Sequence, residues 1–168
     1  MPLQAGWHRV AHVGNHLALA APVKSGKSAV VGGFLAAGCA KSHNADLLGF
    51  EPTNFEERAV IHIDTEQSRN DHHRLLTRSL KRAGVNQVPD HLLSFCLTGW
   101  EPTDILRAIE YLAVKATAAF GGVHSIIIDG VADLVMTPND EEEANRLERW
   151  IRNIAIRYEC CVVNVIHM

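Results

Sequence analysis

The sequence lacks any run approaching the ~20 consecutive apolar residues that span a bilayer, so a helical membrane protein is excluded. It also lacks a charged start followed by an apolar segment and a cleavage site. The chain runs almost at once into a glycine-lysine loop, and a cytoplasmic location is the expectation. An excess of basic charge is missing too. Lys and Arg number 16 against 19 Asp and Glu, a net charge of −3, which argues against a nucleic-acid surface covering the whole chain and leaves only local patches to consider. The four cysteines, Cys39, Cys96, Cys160 and Cys161, form no C-x-x-C pair. Cys160 and Cys161 are adjacent within an apolar run, so on a strand they point to opposite faces, and all four read as reduced core thiols. There is no internal repeat and no linker. A chain of 168 residues fits one domain with a proper core.

What is present is an alternation of two periods. "HLALAA" (16–21) is a short apolar run that predicts a strand, and 26–41 predicts a helix with Val30, Val31, Phe34 and Leu35 at helical spacing. Gly32 and Gly33 inside that helix suit close packing on a sheet. Residues 42–57 read as a polar connection without a clear period. "RAVIHID" (58–64) is a second strand. The spacing of Leu75, Leu76, Leu80 and Ala83 predicts a helix over 70–84 that stops at Gly84. Then follow a strand at 92–97, an amphipathic helix at 102–120, a strand "HSIIID" (124–129), a helix at 139–159 and a last strand "CCVVNVIH" (160–167). Strand and helix alternate five times and the strands are continuously apolar. The expectation is an α/β fold with a mostly parallel sheet and helices on both faces.

In such sheets ligands bind beyond the carboxyl ends of the strands, and three polar stretches fall there. The first is "APVKSGKSA", with Ala21, Pro22, Val23, Lys24, Ser25, Gly26, Lys27, Ser28 and Ala29 between the first strand and the first helix. It matches the phosphate-loop pattern G-x-x-x-x-G-K-[ST] except at its first position. Amides of such a loop, at the positive end of a helix dipole, favour a phosphate. Lys27 can reach the outer phosphates of ATP, and the Ser28 hydroxyl can ligate Mg²⁺. Ala21 stands where the pattern has glycine; it is tolerable provided its φ stays negative. The second stretch is "IIIDG", whose Asp129 can hold the magnesium through water. The third is "IDTEQ": Asp64 ends the second strand and Glu66 follows, placed to orient a water for in-line attack on the terminal phosphate, although a solvated loop acid fits the spacing as well. The G-x-G-x-x-G of dinucleotide sites is absent after the first strand.

Taken together, "APVKSGKS", "VIHIDTEQS", "SIIIDGVADLV", "NDEEEANRL" and "VVNVIH" resemble the RecA-like P-loop ATPases, most nearly the RepA-like branch of hexameric replicative helicases among the AAA family ATPases. The resemblance covers nearly the whole chain. It implies a three-layer core with strand order five-one-four-three-two, a catalytic role for Glu66 and Lys27, magnesium held by Ser28 and Asp129, Asp64 supporting from behind, and His167 as sensor of the terminal phosphate. It also implies a homo-oligomeric ring of the hexameric kind, acting on single-stranded DNA. The chain stops one residue past His167, so it is expected to be incomplete at its C-terminus, without the later strands and finger residue of that family. The alternative is a non-motor nucleotide-binding module or an inactive remnant.

Two further features read plainly. The segment from Gly130 to Ala144 has no basic residue and five acids between Asp133 and Glu143, so it is a poor DNA-contacting loop. Asn139 is the expected cap of the helix there, with Glu142 as its reciprocal partner. The basic cluster Arg69, Arg74, Arg78, Lys81 and Arg82 is expected to be the solvated face of the second helix. His8, His12 and His16 recur every fourth residue, but Gly14 interrupts them, so no metal site is expected there.

Overall fold

The computed structural model describes residues 4–5, 8–9, 11–22, 25–43, 45–137 and 140–167, and the side chains of all of these except residues 4, 5, 8, 9 and 167. In chain order the elements are β1 (Gln4–Ala5), β2 (His8–Arg9), β3 (His16–Ala21), α1 (Lys27–Cys39), β4 (Phe50–Glu51), β5 (Ala59–Asp64), α2 (Arg69–Ala83), β6 (Leu92–Cys96), α3 (Pro102–Phe120), β7 (Val123–Asp129), a 3₁₀ turn (Val131–Leu134), α4 (Glu141–Arg157) and β8 (Cys161–His167). Every strand and helix expected from the two periods is present. The bounds agree to within a residue or two at most ends.

The main sheet has five strands, all parallel, in the order β3-β8-β7-β5-β6. Counted along the chain that order is one-five-four-two-three, which corrects the expected five-one-four-three-two. The physical reason lies in bulk. β5, β7 and residues 161–165 of β8 are buried without a break, so they take the positions with neighbours on both sides. β3 is half alanine, exposes Ala18 and Ala20, and takes an edge. The last strand therefore sits between the loop-bearing strand and the strand ending in Asp129.

Alternation along the strands divides the core into two halves. Val60, Ile127, Cys161, Val163 and Val165 pack under α1 and α2. Ile61, Ile63, Ile126, Ile128, Cys160 and Val162 pack under α3 and α4. This gives three layers, and it places Cys160 and Cys161 on opposite faces as read. Burial pushes the thiols of Cys39, Cys160 and Cys161 up to about 12, so they are inert core groups.

The glycines of α1 serve neighbours other than those expected. A Cβ on Gly38 would lie 2.8 Å from Val60 Cγ2, so the close approach of helix to sheet is made there. Gly32 faces Ser79 and Leu75 of α2, and Gly33 faces the ring of Phe50. α2 begins at Ser68, whose hydroxyl accepts from the Asp71 amide at 3.1 Å, and closes on Gly84 in the left-handed region. The cap of α4 is Asp140, which accepts from the amides of Glu142 (2.8 Å) and Glu143 (3.0 Å), while the Glu143 carboxylate accepts from the Thr137 amide. The cap thus falls one residue after the expected Asn139, which lies outside the described residues.

A second, small antiparallel sheet, β2-β1-β4, was not foreseen. Two-residue strands carry no period, and β4 falls inside the stretch read as plain connection. Asn54 in that same stretch is buried. Its amide donates to the carbonyls of Gly38 and Arg58 and accepts from the Arg58 amide. His8 lies in β2 and His16 opens β3, so no helix stacks the three imidazoles. Among the described residues no helix is long and apolar enough to cross a membrane.

Two histidines are sealed in the core. Burial drives His62 and His124 down to about 4, and burial lowers His91 as well. His62 and His124 are neutral in the folded state, whereas the unfolded chain takes up protons near pH 6.5. Their contribution to stability is therefore complete above about pH 6.5 and is lost progressively as pH falls toward 4, by up to about 3 kcal/mol each. Urea unfolding at pH 7, 6 and 5 is expected to show a steadily falling midpoint; a midpoint constant over that range would contradict this account.

Candidate nucleotide-binding site

The strand registers bring the carboxyl ends to one edge. Ala21 pairs with His167, Val165 with Asp129, Asp129 with Asp64, and Asp64 with Cys96. One strand separates the loop after β3 from Asp129, a spacing of about 10 Å across the sheet.

Ala21 is the last residue of β3 and is extended, with no positive φ. The condition for alanine at the first loop position is met. Pro22 and Ser25 are exposed, and the Ser25 amide donates to the Pro22 carbonyl at 3.3 Å. Val23 and Lys24 lie outside the described residues. Gly26 caps α1 at φ 92°, a left-handed conformation that a side chain would strain. Its carbonyl accepts from the amides of Ala29 (2.9 Å) and Val30 (3.2 Å).

Lys27 is 5% exposed. Its ammonium donates to the Ala21 carbonyl and, at 3.0 Å, to the Pro22 carbonyl. Both partners are neutral, so a full positive charge is turned inward onto main-chain dipoles beside a helix N-terminus with no acid in its first turn. An anion is the complement such a site favours. Ser28 and Ala29 are exposed on that first turn. Together with Gly32 and Gln67 they line one end of a groove of about 330 Å³ between α1 and α2, whose other end carries Arg74, Arg78 and Arg82.

Asp129 ends β7 and is buried; its Oδ2 accepts from Gln67 Nε2 at 2.9 Å. Glu66 is exposed and lies against Gly130, the residue after Asp129. The loop residues, Glu66 and Asp129 thus share the edge, joined by Gln67, which reaches both the groove and Asp129. The backbone of His167 lies beside Ala21 at the same edge, and its side chain falls outside the described residues. Asp64 is buried behind the turn. Its Oδ1 accepts from the amides of Glu66 (3.2 Å) and Gln67 (2.9 Å), and its Oδ2 from His72 Nδ1 (3.2 Å). Burial pushes this carboxyl up, but the hydrogen bonds from His72 and the Gln67 amide, with the two nearby imidazoles, outweigh burial and hold it below its ordinary value.

Sequence reasoning missed Gln67, Thr65, His72 and Ser94. Gln67 and Thr65 stood in the quoted "IDTEQ", where only the acids were weighed. Thr65 Oγ1 donates to the Gly130 carbonyl at 2.9 Å and pins β5 to the end of β7. His72 stands beside His73 on a polar stretch of α2 and carries no signal of its own. It is buried whereas His73 is exposed, and the signal that could have found it is His62, a polar residue inside an apolar strand. Arg69, Arg74, Arg78 and Lys81 are exposed as expected, with Arg74 paired to Asp71 and the half-buried Arg82 to Asp46.

A parallel sheet, a lysine-bearing loop entering a helix, and two carboxylates at the same edge define a P-loop nucleotide-binding domain. The family model for the AAA domain matches residues 2–168, and the chain belongs to that family. No curated protein matches the chain.

Gly130 gives a direct test of the edge. Its φ is 106°, and a Cβ there would lie 2.2 Å from Thr65 Oγ1 and 2.6 Å from Glu66 Cγ. Gly130→Ala is expected to cost about 1–3 kcal/mol, because it combines a strained backbone with displacement of the Thr65–Glu66 turn. Chemical denaturation measures it, and an unchanged midpoint would contradict the packing described.

Proposed function

We propose that this P-loop domain binds ATP with Mg²⁺ on residues 21–29 and hydrolyses it. The observation that carries the reading is the buried Lys27 ammonium, which donates to the Ala21 and Pro22 carbonyls at the head of α1. Lys27 would exchange those neutral partners for phosphate oxygens, and the loop amides with the dipole of α1 would add to the attraction. Ser28 and Asp129 would hold the magnesium ion, which when bound supplies charge neutralisation at the phosphates. Glu66 would orient the attacking water, Asp64 would support the turn that carries it, and His167 would report the terminal phosphate. These roles extend the family assignment and rest on placement at one edge together with the resemblance in sequence.

The finer reading is an ATPase of the replicative-helicase type, working as a ring on single-stranded DNA. Its support is the run of motifs from the loop to "VVNVIH". A second reading, a nucleotide-binding module that does no processive work, is favoured by one specific feature. The segment after β7 exposes Asp133, Asp140, Glu141 and Glu142 and carries no basic residue through Ala144, a repulsive surface for a phosphate backbone.

Calorimetry and steady-state turnover, with and without single-stranded DNA, test these readings. Lys27→Ala is expected to weaken Mg-ATP binding at least ~10-fold and to abolish turnover. Glu66→Gln is expected to keep binding within a few-fold and to lose turnover by about 100-fold or more. Unchanged turnover in Glu66→Gln would remove that residue from the chemistry. Stimulation by DNA would favour the motor, and binding without turnover the module.

A further inference from the structure

Behind the edge lies a buried chain of polar side chains of which the roles above use only Asp64. Asp64 and His62 are fully buried and His72 is 8% exposed. His72 Nδ1 lies 3.2 Å from Asp64 Oδ2, His72 Nε2 3.1 Å from Ser94 Oγ, and Ser94 Oγ 2.9 Å from His62 Nδ1. The two imidazoles are parallel to within 2°, with centroids 5.2 Å apart. His62, Asp64 and His72 each bring one ligating atom within 4.8 Å of the others. Even so, the set does not make a metal centre: nitrogen lone pairs lie in their ring planes, and two parallel, stacked planes never converge on one ion.

Every arrangement of protons that satisfies this chain shares one feature. The Asp64 carboxylate can only accept, so His72 Nδ1 carries the hydrogen and donates. With a neutral His72, Nε2 is an acceptor and takes the Ser94 hydroxyl proton. Ser94 Oγ in turn accepts from His62 Nδ1–H. The orphan at the far end, His62 Nε2, is then a bare acceptor in the core, and His62 is neutral there, as its burial requires. The far oxygen of the same Asp64 carboxylate holds the amides of Glu66 and Gln67. Gln67 carries the turn onward to Asp129, and its carbonyl accepts from Thr98 Oγ1 at 2.7 Å.

We propose that His72 is a positioning residue. By donating from Nδ1 to Asp64, it fixes the carboxylate from which the Glu66–Gln67 turn hangs, and so aims Glu66 and Gln67 at the nucleotide edge. Its consequence for turnover rests on the reading of Glu66 as the water-orienting group; its consequence for the turn does not.

Three measurements on the full chain test this. In the wild type, ¹H–¹⁵N correlations of the imidazoles are expected to show His72 protonated on Nδ1. A proton on Nε2 instead would leave Asp64 without its donor and overturn the proposal, with no variant needed. In His72→Leu the amides of Glu66 and Gln67 are expected to exchange with solvent at least ~10-fold faster, while those of β7 keep their protection. His72→Asn, which retains a donor near the position of Nδ1, is expected to restore them to within a few-fold. Unchanged Glu66 and Gln67 amides, or a uniform loss of protection across the sheet that Asn does not repair, would overturn the proposal. Turnover is expected to fall at least ~10-fold in His72→Leu at unchanged Mg-ATP affinity and to recover in His72→Asn. Faster amide exchange with unaltered turnover would uphold the positioning of the turn and overturn instead the role given to Glu66.

Discussion

The ammonium group of Lys27 sits inside the protein with two main-chain carbonyls for company, and much of the architecture exists to make that arrangement tolerable. A buried cation is costly unless hydrogen-bonded. The Ala21 and Pro22 carbonyls accept from it, so the end of β3 and the first turn of α1 lie close together. Gly26 enters α1 in the left-handed region, and Ala21 ends β3 extended. β3 in turn is held by its parallel pairing with β8. The loop, its helix and its strand are one mechanical unit built around a positive charge.

The carboxylates reach that unit by a different route. β7 delivers Asp129 and β5 delivers the Glu66–Gln67 turn, and both strands owe their central place to unbroken burial. The tie between the two strand ends is polar: Thr65 to the Gly130 carbonyl, Gln67 to Asp129, and Asp64 to the amides of the turn. Gly130 permits the close approach. Rigid apolar strands set the coarse position of the edge, and a few directional hydrogen bonds set the fine one.

Much of this could be read from residue order. The runs "HLALAA", "AVIHID" and "HSIIID" showed their strands because both faces of a parallel sheet are apolar. The loop showed itself because glycine, lysine and serine follow a strand and precede a helix. Strand order could not be read as readily, since parallel neighbours are set by which strands can bear burial on two sides; the small residues of β3 were the available clue. The small antiparallel sheet left no trace because two residues carry no period. His72 was hidden because its importance comes from residues that are close in space but far along the chain, His62 and Ser94, and a helix face alone does not reveal such a partner. Asp140 displaced Asn139 as the cap because both residue types cap equally well and only backbone geometry chooses between them.

The central claim is that the inward-turned charge of Lys27 is a phosphate site. A crystal structure with Mg²⁺ and a non-hydrolysable ATP analogue tests it most directly. The account predicts phosphates over the head of α1, with the Lys27 ammonium moved from the Ala21 and Pro22 carbonyls onto a phosphate oxygen. A nucleotide bound elsewhere, or a Lys27 that keeps both carbonyls with nucleotide present, would contradict it.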